Sequence, residues 1–396
     1  MKYNFDRIIN RQHTNCMSVE GYENYLFGEE EEVHVPYPKD ALIRMWVADM
    51  DFAVAPEIIT AIRDRLEHPI FGYSGVFERS YCRAFQNWCK TRYDWTFDST
   101  HLVHSQGIVP ALFSFAEFLC QPKDKILFLT PSYAFFKHAA DHNGVGIMTS
   151  NLIYENGHYQ IDFEDFEQKT AQPEVRLFLL CSPHNPTGRN WSIAELQRLG
   201  EICLANEVII IADEVHCDLL RAKESFTPLA KIFPDSDQII TCMATTKTFN
   251  LAGFQFSNII IPNDDFRAKW QERNLPLANP LSVVAAEAAY TKGSPWLTAL
   301  TSYLDENFSY LDAYLKEHLP KAEFHIPAAT YLAWVNLANY FPAEKNLTLF
   351  FAEDAGVILE GGNMFVANAA GFIRLNLACP RLKLEEGLER IRRSIK

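Results

Sequence analysis

Val208-Ile209-Ile210-Ile211-Ala212-Asp213-Glu214-Val215-His216 is an unbroken apolar run, largely β-branched, that stops at two carboxylates. It shows no polar alternation, so it suits a strand buried on both faces. Ile126 to Leu129, Leu177 to Cys181 and Ile239 to Cys242 have the same texture. Between them lie helical patterns. Ser192 to Ala205 reads as a helix in which Ser192 caps and Glu195 completes a capping box. Strands alternating with helices predict an α/β fold of three layers, α/β/α, around a mostly parallel sheet. Ligands of such sheets gather beyond the carboxyl ends of the strands.

The texture changes after about residue 280. Leu297 to Leu319 reads as a long amphipathic helix, Tyr331 to Leu337 as an antiparallel strand, and the chain from Leu384 as a charged helix. We therefore expect a large domain over residues 51–284 and a smaller α+β domain formed by 1–50 and 285–396.

Four segments place polar groups just beyond apolar runs. In Cys181-Ser182-Pro183-His184-Asn185-Pro186-Thr187-Gly188 the prolines and glycine punctuate a turn, while the Asn185 amide can donate to a phenolate-type oxygen. Asp213 ends its strand either as a loop residue or as a carboxylate able to keep a heterocyclic nitrogen protonated. In Ala244-Thr245-Thr246-Lys247-Thr248, the lysine is either a solvated amine or an imine-forming one, with hydroxyls beside it for a phosphate. In His104-Ser105-Gln106-Gly107-Ile108-Val109-Pro110, a glycine-led turn enters a helix whose first N–H groups can hold an anion.

Each signal is modest alone, but Asn185, Asp213 and Lys247 in that order and spacing resemble the fold-type I pyridoxal-5′-phosphate (PLP) enzymes, the aminotransferase class I/II superfamily. The resemblance covers nearly the whole chain and implies a PLP-dependent-transferase-like large domain. It implies that Lys247 carries PLP covalently, that Asp213 faces the pyridinium nitrogen, and that Asn185 bonds the ring oxygen. Tyr133 would stack on the ring and join Lys247 and Asp213 in the catalytic set. Gly107, Ile108, Val109 and Thr246 would hold the phosphate, with His216 also at the cofactor. Arg374, in Phe372-Ile373-Arg374-Leu375-Asn376, would grip the substrate α-carboxylate together with Asn185. Tyr73 resembles the tyrosine that reaches the partner subunit's phosphate, which implies a homodimer.

Departures from the common aminotransferase pattern narrow the reaction. His216 stands where tyrosine is usual, Ala244 where serine is frequent, and Gln255 where many members carry arginine. These changes put the usual side-chain grip on the phosphate in doubt. They agree with the cystathionine β-lyase, or carbon–sulfur lyase, branch (MalY/PatB type). Met45-Trp46-Val47-Ala48-Asp49-Met50-Asp51-Phe52, Asp213-Glu214-Val215-His216-Cys217-Asp218-Leu219, Phe249 to Gln255 and Gly293-Ser294-Pro295-Trp296-Leu297 resemble that branch too. In the first of these, Asp49 would border the substrate, or the stretch is only a turn packing Trp46 and Phe52. The resemblance thus implies α,β-elimination from L-cystathionine or a related S-substituted cysteine, with transamination as the neighbouring alternative.

Composition sets outer limits. Asp and Glu exceed Lys and Arg, 50 against 36, for a formal charge of −14 over 396 residues. That balance argues against nucleic acid and anionic membranes as partners without naming one; the small amino-acid substrate is what the resemblance implies. Glu29 to Glu32 reads as a solvated loop. No G-x-G-x-x-G opens a strand-turn-helix, which disfavours a dinucleotide-binding oxidoreductase. No apolar run approaches the ~20 residues of a membrane span, and no secretory leader is visible. Nine scattered cysteines without a C-x-x-C fit a reducing cytoplasm. His216-Cys217 is too short to build a metal site, so no metal is expected.

Overall fold

The computed structural model describes residues 3–28, 35–155 and 157–395; the Glu29 to Glu32 run lies outside them. Seven strands form the main sheet: β1 (Leu102–Ser105), β2 (Lys125–Thr130), β3 (Gly146–Asn151), β4 (Val175–Cys181), β5 (Ile209–Asp213), β6 (Ile239–Met243) and β7 (Ser257–Ile260). Their spatial order is β1-β7-β6-β5-β4-β2-β3. Only β7 runs antiparallel to its neighbours, so the sheet is mostly parallel as expected.

The apolar run that ends at Asp213 shows why both faces must be covered. Ile209 and Ile211 point into one core with Phe115, Phe136 and Trp270, brought by helices Ile108–Leu119, Ala134–His142 and Asp264–Arg273. Ile210 and Ala212 point into the opposite core with Phe166, Leu196 and Leu199, brought by helices Phe163–Thr170 and Ile193–Ala205. Each buried Ile contributes about 1.5–3 kcal/mol, so a one-residue slip of β5 would lose several such terms at once. The Ser192 capping box forms with both of its hydrogen bonds.

A second sheet follows, ordered β8 (Leu332–Asn336), β10 (Phe372–Asn376) and β9 (Glu360–Gly361), all antiparallel. It encloses its own core with Phe308, Leu311, Phe351, Leu384 and Leu388. Ile43–Arg44 pairs in parallel with Val357–Ile358 on this side of the molecule. Helix Ser294–His318 touches both regions. Trp296, Leu300 and Leu304 pack with Tyr81, Phe85 and Trp88, whereas Phe308 and Leu311 belong to the second core. Helix Pro280–Lys292 runs straight through residue 284, packed in the first of these clusters. No helix among the described residues is long and apolar enough to cross a membrane.

Candidate active site

Strand register aligns the polar groups. Cys181 at the end of β4 pairs with Asp213 at the end of β5, and Asp213 pairs with Cys242 on β6. The turns that leave these ends carry Asn185 and Lys247, so all three residues meet beyond the carboxyl edge of the sheet. There they line a cavity of about 290 Å³ with Tyr133, His216, Thr246, Arg374, Gly107, Ile108 and Val109. Every site residue expected from the sequence lines it except Asp49 and Tyr73.

Asp49 stands beside the cavity rather than on its lining. Its carboxylate is held by the Arg11 guanidinium, at 3.2 Å from Nη1 and 2.5 Å from Nη2, and it does not line the cavity. Arg11 also binds Asp51, so Asp49 belongs to a partly buried ion-pair cluster that fixes the turn. The preceding residue reaches the site through its backbone: the Ala48 carbonyl accepts Lys247 Nζ at 2.8 Å and the Tyr331 hydroxyl at 2.8 Å. Tyr73 is 96% exposed and stands on a separate hollow shared with Gln106 and Leu277.

The electrostatics separate the groups by role. Burial, and after it the Arg374 charge, lower the Lys247 amine to about 8. Burial raises the Asp213 carboxyl to about 6, against a single 3.3 Å hydrogen bond from the Val215 N–H. Burial together with Lys247 and Arg374 drives His216 well below its ordinary value, so it is a neutral imidazole. Its Nδ1 is buried without a hydrogen-bond partner among the described residues.

Arg374 is fixed from three sides. Nη1 donates to Asn185 Oδ1 at 3.1 Å, Nη2 donates to the Trp46 carbonyl at 3.0 Å, and Nη2 is also ion-paired with Glu360. Its guanidinium lies 5.2 Å from the Phe365 ring centroid. Because Asn185 accepts through its oxygen, its amide nitrogen is the end suited to a ring oxygen in the cavity.

At the other end of the cavity, helix Ile108–Leu119 begins at Gly107 with φ +124° and no side-chain cap. Pro110 has no N–H, so the donors of this turn are those of Gly107, Ile108 and Val109. Thr246 and Gln255 complete this end. Among the described lining residues the cations are Lys247 and Arg374 alone.

Several lining groups carried no sequence signal. Glu360 follows Leu359 and precedes two glycines, a pattern that reads as a turn. Met17 and Tyr25 come from short helical turns near the chain start, tied down where Trp46 Nε1 donates to the Ser18 carbonyl at 3.0 Å.

A lysine, an aspartate and an arginine thus converge on one cavity beyond the carboxyl edge of a mostly parallel sheet. The chain belongs to the aminotransferase class I and II family, whose profile matches residues 41–391. More particularly, it is 40% identical over 357 residues to cystathionine beta-lyase PatB of Bacillus subtilis (strain 168), covering 89% of this chain and 92% of that one. It is 29% identical over 391 residues to protein MalY of Escherichia coli (strain K12), covering 98% and 97%. The crystal structure of a PLP-bound C-S lyase from Staphylococcus hominis, complexed with the inhibitor L-cycloserine, superposes with a TM-score of 0.97. That protein is 48% identical, over 100% of this chain and 98% of its own.

The residues present fit PLP. A buried carboxyl short of donors suits a protonated ring nitrogen, and an uncapped helix start suits a phosphate. A buried amine lowered to about 8 gives up its proton far more readily than an ordinary lysine, which suits imine formation.

Proposed function

We propose that this protein is a PLP-dependent carbon–sulfur β-lyase that cleaves L-cystathionine or a related S-substituted cysteine to pyruvate, ammonia and a thiol. The observation that carries the reading is the buried Lys247 amine, placed between Asp213 and Arg374 in one cavity. The 40% identity to a cystathionine beta-lyase supports the choice of reaction within the family.

PLP, when bound, supplies the sink for the electron pair left at the substrate Cα. The chain supplies position and proton transfer. Arg374 holds the substrate α-carboxylate, and Lys247 Nζ takes the Cα proton as general base. Asp213 would keep the ring nitrogen protonated, and Asn185 Nδ2 would donate to the ring oxygen. Tyr133 would cover the ring face, and the N–H groups of Gly107, Ile108 and Val109 would hold the phosphate with Thr246. The neutral His216 ring adds a polar wall without adding charge. Once the Cα proton is gone, the Cβ–S bond breaks and the thiolate leaves with the bonding pair and takes up a proton; the enamine product then reacts with water to give pyruvate and ammonia.

Incubation of the PLP-loaded protein with L-cystathionine and no keto-acid acceptor is expected to release pyruvate and free thiol in equal amounts. Turnover that needs a keto-acid acceptor would instead establish a transaminase. Arg374→Lys keeps a cation opposite Glu360 but loses the planar fork. It is expected to raise KM by about 10- to 100-fold while moving kcat less, as steady-state kinetics would read.

We further propose a homodimer. Ile70, Phe71, Tyr73, Phe77 and Leu275 are all at least half exposed, an unusual cluster of large apolar side chains beside the cavity. A second copy would cover this face and receive Tyr73 at its phosphate end, which has few side-chain donors of its own. Light scattering on the eluted protein is expected to give twice the 45.4 kDa chain mass. A monomer that turns over at full rate would refute this.

The second sheet's own core, apart from the cores on the two faces of the main sheet, supports a large and a small domain. The passage from one core to the other within helix Ser294–His318 favours a boundary somewhat later than residue 284. Nine unpaired cysteines support a reducing, cytoplasmic location.

A further inference from the structure

Among the described lining residues, Glu360 is the one acidic side chain that the reaction above does not use. It sits on β9 directly opposite Arg374 on β10, so the two side chains share one face of the sheet. It is 6% exposed and its Oε2 is ion-paired with Arg374 Nη2. A guanidinium can grip a carboxylate with two parallel N–H bonds along two edges, Nη1–Nη2 or Nε–Nη2. Both edges need Nη2. Here Nη2 is committed to the Trp46 carbonyl and Glu360, while Nε has no hydrogen-bond partner among the described residues. Neither edge is open to an incoming ligand in this arrangement.

We propose that Glu360 is a resident carboxylate that competes with the substrate α-carboxylate for Arg374, and so sets how weakly carboxylate ligands bind. This rests on Arg374 being the carboxylate site. The Trp46 carbonyl is part of a backbone pinned by the buried Trp46 ring, whereas Glu360 reaches Nη2 through a side chain that can rotate away. Burial also pushes the Glu360 carboxyl up from its ordinary range, against the pull of Arg374, which lowers the cost of surrendering the ion pair. The fraction of molecules with Nη2 uncovered then scales the apparent affinity directly.

The alternative role for Glu360 is to hold Arg374 in position, and the two roles differ in sign. If Glu360 competes, Glu360→Gln tightens carboxylate binding; if it only supports Arg374, the same change weakens it. The test is calorimetric titration of the PLP-loaded protein with 3-(methylthio)propanoate. This carboxylate has the thioether of the substrate class but no amine to react with the cofactor. We expect about tenfold tighter binding in Glu360→Gln, and the same direction in Glu360→Ala. Unchanged or weaker binding in both variants would overturn the proposal. So would an Arg374→Gln protein that binds the probe as tightly as the parent, because the carboxylate would then sit elsewhere. Pyruvate release by the unaltered protein is measured separately, so failure of the lyase reading and failure of this competition give different results.

Discussion

Lys247→Ala is expected to lower pyruvate release from L-cystathionine by about 10⁴-fold, the upper range for loss of a positioned general base. The nearest other candidates cannot replace it. His216 is held neutral, but burial keeps it so far below its ordinary value that it is a poor proton acceptor at pH 7. Asp213 has its proton affinity raised only to about 6, and in the proposed role it would be occupied by the ring nitrogen. The Lys247 amine is held by the Ala48 carbonyl, which the Tyr331 hydroxyl also bonds, so the released amine has a defined resting place. A second measurement isolates the amine itself. Cofactor capture by the cofactor-free protein requires the unprotonated amine, so its rate should rise as pH passes through about 8 and level off above. An alanine variant that keeps the parent rate would remove Lys247 from the chemistry altogether.

The parts of the fold that sequence reading recovers are those where one physical demand acts on many consecutive residues. β2, β4, β5 and β6 are buried on both faces, and their apolar runs show it. The ends of these strands then locate Asn185, Asp213 and Lys247, because each polar motif follows its strand at once. Edge strand β3 is only partly buried, and its Gly-Ile-Met-Thr-Ser-Asn sequence lacks both a run and a clean alternation. Site features that depend on backbone or on distant chain segments are equally hidden. The Ala48 carbonyl that receives Lys247 has no side-chain signature, and Tyr331 and Glu360 arrive from the second sheet with no motif pointing back to the first. Asp49 stays off the lining for the converse reason. It lies next to a cavity residue, but Arg11, 38 residues away, claims its charge. Sequence adjacency identifies the segment at a site; a long-range ion pair decides which of its atoms face inward.

Asp213→Asn is expected to lower kcat by about 10²- to 10³-fold while making the cofactor-free protein more stable. The first effect follows because a neutral amide cannot hold the ring nitrogen protonated, so the electron pair at Cα loses its stabilising charge. The second follows from the burial of Asp213. Its carboxyl is raised in the folded chain to about 6 from 3.8, so below about pH 4 it is protonated in both states and costs nothing. Between about 4 and 6 the unfolded chain has already released the proton while the folded chain still holds it, and stability falls with rising pH. Above about 6 the full penalty remains, at most about 3 kcal/mol. Asparagine removes the charge and with it the penalty. Melting curves at pH 7 should therefore place cofactor-free Asp213→Asn above the cofactor-free parent, with the difference vanishing near pH 4. Adding PLP should reverse the order, because only the parent gains an ion pair at the ring nitrogen. If the variant instead melts lower than the parent at pH 7 without cofactor, Asp213 is satisfied within the chain, and its claim to a cofactor nitrogen loses its physical basis.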